Sequence, residues 1–497
     1  MESREDLKSI LAYLSVLVRS DNLFWPSKMV ESLKAMAKGP DHSRVNCGEV
    51  LSVAICDIRN SLSLFEPLSP FALEGYALFF DELISRAEAA EWFREVVPAL
   101  ANLLLQFPSL LENHYQNADD LHGKYGIKSG LRLLGPQEAG IVFLSQELIG
   151  ALLACAFFCF FPVTNRGANH LPTINFDELF ASLYESYSEK LENKIKCLVH
   201  YFKRICSWMP AGYVSFERKV LPLDHRHVYL SYPEADFWSK SVVPLCPLEV
   251  HSLGSIEDQS VDALEVDFAN KYIGGGALHR GCVQEEIRFN SQIIRVMRRH
   301  FSFAGDHVDK RNFDNFGRHK TRIIAIDALC MPGMKQYALK FLLRETNKAF
   351  CGFIDQSKYC QYERIYSEAS STTVGTNEGV SVNPTLGNSE RKNSWHLDQD
   401  CPGIATGNWG CGAFGGDPEL KTIIQWLAAS QALRPFISYH TFGIEALQNL
   451  GQVTQWILLH EWTVGDLWNM VVEYSSQRLK RETDFGFFSW LLPMLSS

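Results

Sequence analysis

The sequence predicts an all-helical region over residues 1–206, followed by an α/β domain over residues 207–497. A chain of 497 residues is long for a single hydrophobic core, so two domains are expected. Apolar residues recur at helical spacing through the first region, which has few strand patterns. After Ser207, short β-rich runs alternate with helical patterns, which indicates a sheet with helices on its faces.

In the first region, the helical patterns cover Asp6–Val18, Trp92–Leu105 and Phe176–Phe202. The uncharged stretch Leu148–Val163 is shorter than the roughly 18–20 residues that cross a bilayer, and Pro162 closes it. We therefore predict a buried core helix in this stretch and no transmembrane segment.

In the second region, a helix is predicted at Pro418–Gln431, where an apolar stripe follows a capping aspartate. The predicted strands are Val214–Phe216, Leu264–Phe268, Ile323–Ile326 and Phe436–Tyr439. The run RIIAID is apolar without alternation, which favours a strand buried on both faces. Residues 356–403 are polar and low in complexity. We predict a disordered insertion there, because such a segment cannot bury enough apolar area to offset its ordering entropy.

The net charge and the distribution of cysteines and histidines exclude several classes of protein. The net charge of −10 argues against broad phosphate-backbone binding, so no direct nucleic-acid binding is expected. The 13 cysteines are scattered without a Cys-x-x-Cys pair, and the N-terminal stretch lacks a signal-peptide pattern, so a reducing compartment is expected. Because the histidines are dispersed, we expect no metal site and no cofactor.

Three consecutive glycines, Gly274, Gly275 and Gly276, form the first chemistry-bearing stretch. Consecutive glycines allow several backbone N–H groups to face one concavity, which can bind a phosphate or diphosphate without a formal positive charge. The pattern is not the dinucleotide fingerprint, because the third glycine of that motif would fall on His279.

A second glycine-rich loop, Thr406–Asp417, runs into the predicted helix Pro418–Gln431. Asp417 suits the N-cap position and Pro418 the first helical position, so the loop opens onto a helix N-terminus that can accept an anion. Either glycine stretch by itself is also typical of a tight turn. Two of them in one α/β domain favour a shared diphosphate ligand.

Gln284, Glu285 and Glu286 follow the first glycines. Adjacent carboxylates in an enclosed site raise at least one pKa by repulsion and desolvation. A glutamate protonated near neutral pH is suited to protonating a glycosidic leaving oxygen. The alternative is a solvated pair on the surface, and the position directly after a phosphate-binding loop argues against it.

The stretch LEVDFAN predicts a strand that leads into Asp267 and Asn270 just before the glycines. Strand ends beside a ligand crevice are where α/β folds place polar contacts. A turn or capping role for Asp267 is the alternative, and the residues alone leave it open.

Together these stretches resemble the poly(ADP-ribose) glycohydrolase family, whose signature is a glycine triplet, a short spacer and Gln-Glu-Glu. The resemblance extends to VDFANKYIGGG, RIIAIDALC, ATGNWGCGAFGGDPEL, WTVGDLWNM and the YHTFG stretch at Tyr439–Gly443. In the first region, LPTINFDELF and KIKCLVHYF resemble the helical accessory domain of the family. The plant branch of the family is the most similar.

The resemblance implies a macrodomain-like three-layer α/β/α sandwich preceded by the helical domain, and cleavage of the ribose–ribose bonds of poly(ADP-ribose) to release ADP-ribose. It makes Glu286 the general acid, and Glu285 the residue that holds ribose hydroxyls with Asp267 and Asn270. Further substrate-binding residues implied by the resemblance are Ile256, Glu257, Gly274, Gly275, Gly276, Gln284, Gly407, Asn408, Gly412, Ala413, Phe414 and Phe442. Ile256, Glu257 and Phe442 match the adenine side of the family's site.

One segment departs from the family. After the Gln-Glu-Glu motif the family continues into a strand and a tyrosine-rich segment, one tyrosine of which closes over the adenine. Here the chain runs through NSQIIRVMRRHFSFAG, and no tyrosine lies between Tyr272 and Tyr337. A segment of a few tens of residues is missing, as a splice variant or a gene-model error would explain. Arg295, Arg298 and Arg299, which stand in its place, either lie on a solvated face or face the phosphates of the polymer, and the solvated face is preferred.

Three hypotheses follow: an active glycohydrolase, an ADP-ribose or poly(ADP-ribose) binding module without turnover, and an unstable isoform. The first is preferred because both carboxylates and both glycine loops are intact. The resemblance further implies poly(ADP-ribose) and ADP-ribosylated proteins as substrate, a role in the DNA damage response, a nuclear and cytoplasmic location, and a monomer.

Overall fold

The chain forms two compact units, 1–218 with 272–320, and 219–271 with 321–497. The structure, a computed structural model, describes residues 3–125, 130–135, 137–163, 174–221, 232–256, 262–272, 274–281, 294–296, 303–306, 311–314, 317–355 and 401–492. The domain boundary predicted between residues 206 and 207 stays a prediction.

The first unit is mainly helical. Its α-helices are α1 Glu5–Leu11, α2 Ser27–Ala37, α3 Pro40–Ser43, α4 Gly48–Ser61, α5 Ala72–Ala77, α6 Arg86–Glu91, α7 Val97–Tyr125, α8 Gln146–Phe157, α9 Asp177–Glu185 and α10 Glu189–Ser207, with π-helical turns at Leu78–Leu83 and Trp92–Val96. Three antiparallel strand pairs accompany them: β1 Leu17–Arg19 with β2 Asn22–Phe24, β3 Gly140–Ser145 with β4 Tyr213–Arg218, and β7 Ile294–Val296 with β8 Phe303–Asp306.

All three predicted helices of this unit differ in extent from the prediction. The pattern over Trp92–Leu105 begins with the π-helical turn Trp92–Val96, and helix α7 continues to Tyr125. The pattern over Asp6–Val18 predicted one helix, but the helix ends at Leu11 and a strand begins at Leu17. The pattern over Phe176–Phe202 is divided into α9 and α10. The division falls before Ser188, whose hydroxyl accepts a hydrogen bond from the Leu191 N–H (3.4 Å) and so caps the second helix.

Aromatic side chains build the core of the first unit. The rings of Tyr76 and Phe180 stack with centroids 3.8 Å apart, and those of Phe80 and Trp92 with centroids 5.1 Å apart. Phe157, at the end of α8, packs edge-on against Phe80. Stacked and edge-to-face pairs add to the free energy gained by burying the rings themselves.

Most of the uncharged stretch Leu148–Val163 lies in this core, as predicted, although Val163 is exposed. Helix α8 covers its first part, and Phe158, Phe160 and Phe161 beyond the helix are buried as well. Among the described residues, no helix has both the length and the apolar character needed to span a membrane.

The second unit contains the parallel sheet that the sequence predicted. Its strands are β5 Leu248–His251, β6 Ala263–Asp267, β9 Arg322–Ala325, β10 Gly403–Gly407 and β11 Ile437–His440. They lie side by side in the order β5-β11-β10-β6-β9, and each described pairing is parallel.

Helices surround this sheet and share one apolar core with it. They are α11 Ala235–Ser239, α12 Leu339–Phe353, α13 Pro418–Gln431, α14 Leu450–Leu459, α15 Val464–Lys480 and α16 Phe487–Leu491, with 3₁₀ turns at Gly333–Tyr337 and Glu445–Leu447. The core joins sheet residues such as Ile404 and Tyr439 to helix residues such as Trp426 and Trp468. This agrees with the predicted α/β class, and the helix Pro418–Gln431 has the predicted bounds.

Two strand predictions require correction. Val214–Phe216 lies in β4, which pairs with β3 in the first unit and belongs to no strand pair of the parallel sheet. Strand β9, within RIIAID, was predicted to be buried on both faces, but Arg322 and Ala325 are exposed. The reason is that β9 stands at the edge of the described sheet and pairs only with β6 there. Of the predicted disordered insertion, residues 356–400 lie outside the described residues, and Gly403 begins β10.

Gly75 in α5 is expected to tolerate no side chain, because a Cβ there would overlap the backbone carbonyl of Phe180 in α9. We expect Gly75→Ala to lower the free energy of unfolding by about 3 kcal/mol, the cost of overpacking against an immovable backbone. Urea unfolding followed by circular dichroism measures it. Gly451→Ala is the control, since nothing lies within 4 Å of its Cβ position in α14. Equal stability of the two variants would contradict the prediction.

Candidate active site

The candidate site lies at the carboxyl edge of the parallel sheet. Because β6, β10 and β11 are parallel, the residues that follow Asp267, Gly407 and His440 leave the sheet at the same edge. The position of a Cβ on Gly407 would lie 2.7 Å from a ring carbon of Phe442 and 3.5 Å from one of Phe268. The segments after the three strands therefore meet around Gly407.

Asp267 and Asn270 stand where the sequence placed them. Asp267 is the last residue of β6 and is 8% exposed, and its carbonyl accepts a hydrogen bond from the Ile326 N–H (3.2 Å). Asn270 is half-buried three residues further on. Asp267 thus stands at a strand end as predicted, while its role toward a ligand, or as a turn or capping residue, stays a prediction.

Gly407 and Asn408 join the ends of β10 and β11. A side chain on Gly407 is excluded, because its Cβ would also lie 2.7 Å from the carbonyl oxygen of His440. The Asn408 amide donates to the Thr441 carbonyl (2.8 Å), and its Oδ1 accepts from the Tyr439 hydroxyl (3.1 Å). Both ends of this side chain therefore hold the two strand ends together.

The tip of the second glycine loop is open. Gly412 and Ala413 are exposed, and nothing lies within 4 Å of a Cβ position on Gly412. The neighbouring N–H groups of Cys411 and Gly415 donate to Asn408 and Gly412 carbonyls (both 3.0 Å). Those of Gly412, Ala413 and Phe414 donate to no acceptor among the described residues. Three successive N–H groups at an exposed tip form an arrangement that can hold an anion.

Ile256 and Phe442 belong to one small apolar cluster. Ile256 is buried with Ala263 and Ala405, and Phe442 packs against the cluster half-buried. Phe442 has a φ of 52°, which is uncommon for a bulky residue, and its ring stacks on the buried His440 with centroids 5.9 Å apart. A half-exposed ring held in this way can stack on a planar ligand.

The predicted cap on α13 is confirmed. The Asp417 carboxylate accepts hydrogen bonds from the N–H groups of Glu419 (2.9 Å) and Leu420 (3.3 Å), and Pro418 occupies the first helical position. The Tyr337 hydroxyl donates to the other oxygen of Asp417 (2.7 Å). Asp417 is therefore used by the fold as the cap of α13.

The first glycine stretch lies in the first unit as a tight turn. Gly274 and Gly275 have φ values of 81° and 48°, which favour glycine. The N–H groups of Gly275, Ala277 and His279 donate to backbone carbonyls of the turn itself (2.8–3.0 Å). These three N–H groups therefore stabilise the turn itself. The sequence alone did not predict which N–H groups of the stretch are used in this way.

Helices α9 and α10 hold this turn in place. The buried Lys194 donates to the carbonyls of Gly276 (3.2 Å) and His279 (2.7 Å). His279 also lies 2.5 Å from the carboxylate of Glu178, and Arg280 lies 2.5 Å from that of Glu185. The glycine turn is thus attached to the helices of its own unit by four contacts from three helix side chains.

Lys194 was not predicted from the sequence, although the residue pattern of α10 indicates that this lysine is buried. Apolar residues at Leu191, Ile195 and Phe202 define the buried stripe of the helix, and Lys194 lies on the same stripe. A lysine on a buried stripe needs acceptors supplied by another segment. The identity of that segment cannot be deduced from helical spacing.

Four predicted residues lie outside the described residues: Glu257, Gln284, Glu285 and Glu286. Their roles stay predictions.

Glu419, in the first turn of α13, predicts a pH dependence of stability. Burial raises the pKa of its carboxyl to about 7, while the Phe488 N–H, 2.6 Å from it, acts in the opposite direction. Because this pKa lies above the unfolded value of 4.5, the folded protein keeps the proton at pH values where the unfolded chain has released it. The resulting stabilisation is complete below pH 4.5 and is lost as the pH rises through 7. We expect a loss on the order of 2 kcal/mol between pH 5 and pH 8.

Urea unfolding of the wild type and Glu419→Gln at both pH values measures this effect. The amide keeps an acceptor for the Phe488 N–H but does not titrate, so the variant is expected to lose less stability between the two pH values. The same loss in both proteins would show that Glu419 is not responsible.

The second unit thus has a parallel α/β sheet whose carboxyl edge carries a strand-end aspartate, a half-exposed aromatic ring and a loop with three N–H groups that donate to no acceptor among the described residues. These features define a class of α/β domain that binds a phosphorylated nucleotide ligand at the ends of its strands. Comparison with known proteins identifies the family.

The catalytic-domain model of poly(ADP-ribose) glycohydrolase, with the macro domain fold, matches residues 235–297 and 294–449, and the model of the family's helical domain matches residues 84–218. The chain is 54% identical over 552 residues to poly(ADP-ribose) glycohydrolase 1 of Arabidopsis thaliana, covering 100% of this chain and 98% of that protein. It is 52% identical over 528 residues to probable poly(ADP-ribose) glycohydrolase 2 of the same plant, covering 100% of both.

A more distant relative is poly(ADP-ribose) glycohydrolase 1 of Caenorhabditis elegans, 26% identical over 441 residues, covering 80% of this chain and 46% of that protein. The chain belongs to the poly(ADP-ribose) glycohydrolase family. The predicted family, plant-type similarity, macrodomain fold and glycohydrolase class of enzyme are confirmed.

The comparisons also bear on the missing segment. The catalytic-domain match is divided into two stretches that meet at residues 294–297, close behind the Gln-Glu-Glu motif. The first A. thaliana comparison extends over 552 residues, whereas this chain has 497, so that relative has residues without a counterpart here. The division coincides with the departure found in the sequence.

Proposed function

We propose that this chain cleaves the ribose–ribose O-glycosidic bonds of poly(ADP-ribose) and releases ADP-ribose, with Glu286 as the general acid. Membership of the family supports the reaction. The single observation that carries the assignment of the ligand is the exposed loop tip at the carboxyl edge, where three successive N–H groups lack an acceptor among the described residues.

The chemistry follows from the carboxyl groups. The protonated carboxyl of Glu286 donates its proton to the departing ribose oxygen as the bond from that oxygen to the anomeric carbon breaks. Glu285, assisted by Asp267 and Asn270, holds ribose hydroxyls close to the developing oxocarbenium ion. Water then adds its oxygen to the anomeric carbon, and its proton returns to the Glu286 carboxylate.

The remaining contacts orient the substrate. Gly407, Asn408, Gly412, Ala413 and Phe414 hold the diphosphate and the adjoining ribose. Their support is the open tip of the loop and its fixed base at Gly407.

On the adenine side, Ile256, Glu257 and Phe442 contact the base. The half-exposed ring of Phe442 supports this. The assignment of Gly274–Gly276 and Gln284 to the ligand rests on the resemblance alone.

The first test replaces Glu286 by glutamine, which keeps the size of the side chain and removes the transferable proton. We expect release of ADP-ribose from automodified polymer to fall by at least about 100-fold, the typical contribution of a general acid, while ADP-ribose still binds. Chromatographic quantification of free ADP-ribose and calorimetric titration measure the two properties. Glu31→Gln, at an exposed position of α2, is the matched control.

The wild-type protein distinguishes this proposal from a binding module. Binding of ADP-ribose without any release by the wild type would favour the module and contradict the proposal. Unchanged release of ADP-ribose by Glu286→Gln would agree with the glycohydrolase activity but would show that Glu286 is not the general acid.

A second test concerns the loop tip. A Cβ on Gly412 would have no atom of the described residues within 4 Å, so Gly412→Ala is expected to keep the wild-type melting temperature. The methyl group projects into the space that the diphosphate would fill, so the dissociation constant of ADP-ribose should rise by about tenfold. Calorimetric titration measures it, and Gly451→Ala, at another open position, is the control. Wild-type affinity would show that the tip does not bind the ligand.

The physiological setting belongs to the same proposal. We place the activity in the nucleus and cytoplasm, acting as a monomer on poly(ADP-ribose) attached to proteins, in the response to DNA damage. The described cysteines are free thiols, as is common in reducing compartments, which supports the location. Microscopy of a fluorescent fusion and analytical ultracentrifugation test the location and the oligomeric state.

A further inference from the structure

Both ends of the segment Trp409–Gly416 lie close to the side chain of Lys421. The Lys421 ammonium lies 4.1 Å from the centroid of the Trp409 ring. A Cβ on Gly410 would lie 3.5 Å from the same nitrogen, and a Cβ on Gly416 would lie 3.2 Å from the Lys421 Cε. The Gly416 N–H donates to the Gly410 carbonyl (2.9 Å) and closes the segment into a ring over the lysine.

Glu345 of α12 holds this lysine from the other side. The Lys421 and Glu345 side chains form an ion pair in which they are 1% and 3% exposed. Glu345 also accepts from the Leu329 N–H (3.1 Å) and pairs with Arg344. The position of the ammonium is therefore set by contacts outside the glycine loop.

Stability alone does not account for a pair buried to this degree. Desolvation of two charges costs about as much free energy as their attraction returns, and apolar residues of similar volume are often at least as stabilising. The pair does, however, fix the position of the ammonium group. A glycine-rich segment is flexible by composition, and packing against a fixed group restricts it to one conformation.

The conformation of the segment closed by the Gly416–Gly410 hydrogen bond determines the conformation of its tip. Gly412, Ala413 and Phe414, whose N–H groups have no acceptor among the described residues, lie between Gly410 and Gly416, the two positions at which a Cβ would lie within 3.5 Å of the Lys421 side chain. An anion site made of backbone N–H groups binds well only if these groups are fixed together before the ligand arrives.

We propose that Lys421 is a positioning residue for the substrate diphosphate. Held by Glu345, it fixes the segment Trp409–Gly416 so that the three N–H groups at its tip are presented to the diphosphate together. This inference rests on the proposed function, because it takes the diphosphate of ADP-ribose as the ligand of the loop.

The double variant Lys421→Met/Glu345→Gln tests the proposal. It removes both charges, so neither is left buried without a partner, and its melting temperature is expected to stay close to that of the wild type. The dissociation constant of ADP-ribose and the KM for polymer should rise by about tenfold or more, while kcat should change by less than about twofold. A purely structural pair would give a double variant with wild-type affinity, and that result would overturn the proposal.

Gly416→Ala is the second variant, and it retains both charges. Its Cβ would lie 2.8 Å from the Gly410 carbonyl oxygen, which forces the ring away from the lysine. If the double variant fails to fold, the proposal depends on this variant. A rise of about tenfold in the dissociation constant at unchanged kcat supports it, and wild-type affinity contradicts it.

Lys240→Met is the matched control, because it removes an exposed ion pair with Asp236 in the same unit, and it is expected to bind and react as the wild type does.

The failure of the inference is distinguishable from failure of the proposed function. If the wild type binds ADP-ribose but releases none, the glycohydrolase assignment fails while the binding comparison still decides the role of Lys421. If the wild type is active and both variants bind normally, only the inference fails.

Discussion

Strand β10 is the constraint on which the described part of the candidate site depends. It is buried along its whole length, pairs in parallel with β6 and β11, and leads directly into the glycine loop. Its last residue has to be glycine, because the carbonyl of His440 and the ring of Phe442 occupy the space of a side chain. That close approach brings the strand-end segments together, and the other contacts of the site are arranged around it.

Polar contacts extend from this strand into the layer beneath the loop. Thr406 donates its hydroxyl to the Gln425 side-chain oxygen (2.6 Å), and the Gln425 amide donates to the Gly407 carbonyl (3.0 Å). The indole N–H of Trp409 donates to the Ile326 carbonyl at the end of β9 (3.0 Å). Buried polar groups that are paired in this way give a single arrangement of the loop base. The exposed tip can then be open without the whole loop being flexible.

The sequence predicted the regular elements of the sheet domain well where one residue pattern suffices. Helix Pro418–Gln431 has the predicted bounds because its capping aspartate and first-position proline act locally. Strands β6 and β11 deviate from their predicted ends by one residue. Val214–Phe216 was assigned to the wrong sheet, and β9 is less buried than predicted. The reason is that an apolar run indicates a strand but not its partner or its position in the sheet.

The sequence by itself determined the family, the two glycine segments, the capped helix and the candidate carboxylates, because each is a short pattern of neighbouring residues. The tertiary structure alone decided what each glycine does. Gly407 allows the approach of another strand end, and Gly410 makes room for the side chain of Ala328. Gly416 makes room for the Gly410 carbonyl and for Lys421, and Gly412 has no described atom within 4 Å of its Cβ position. It also decided that Lys194 holds the first glycine turn. These roles depend on contacts between residues distant in the chain, and spacing along a sequence contains no information about which distant residues meet.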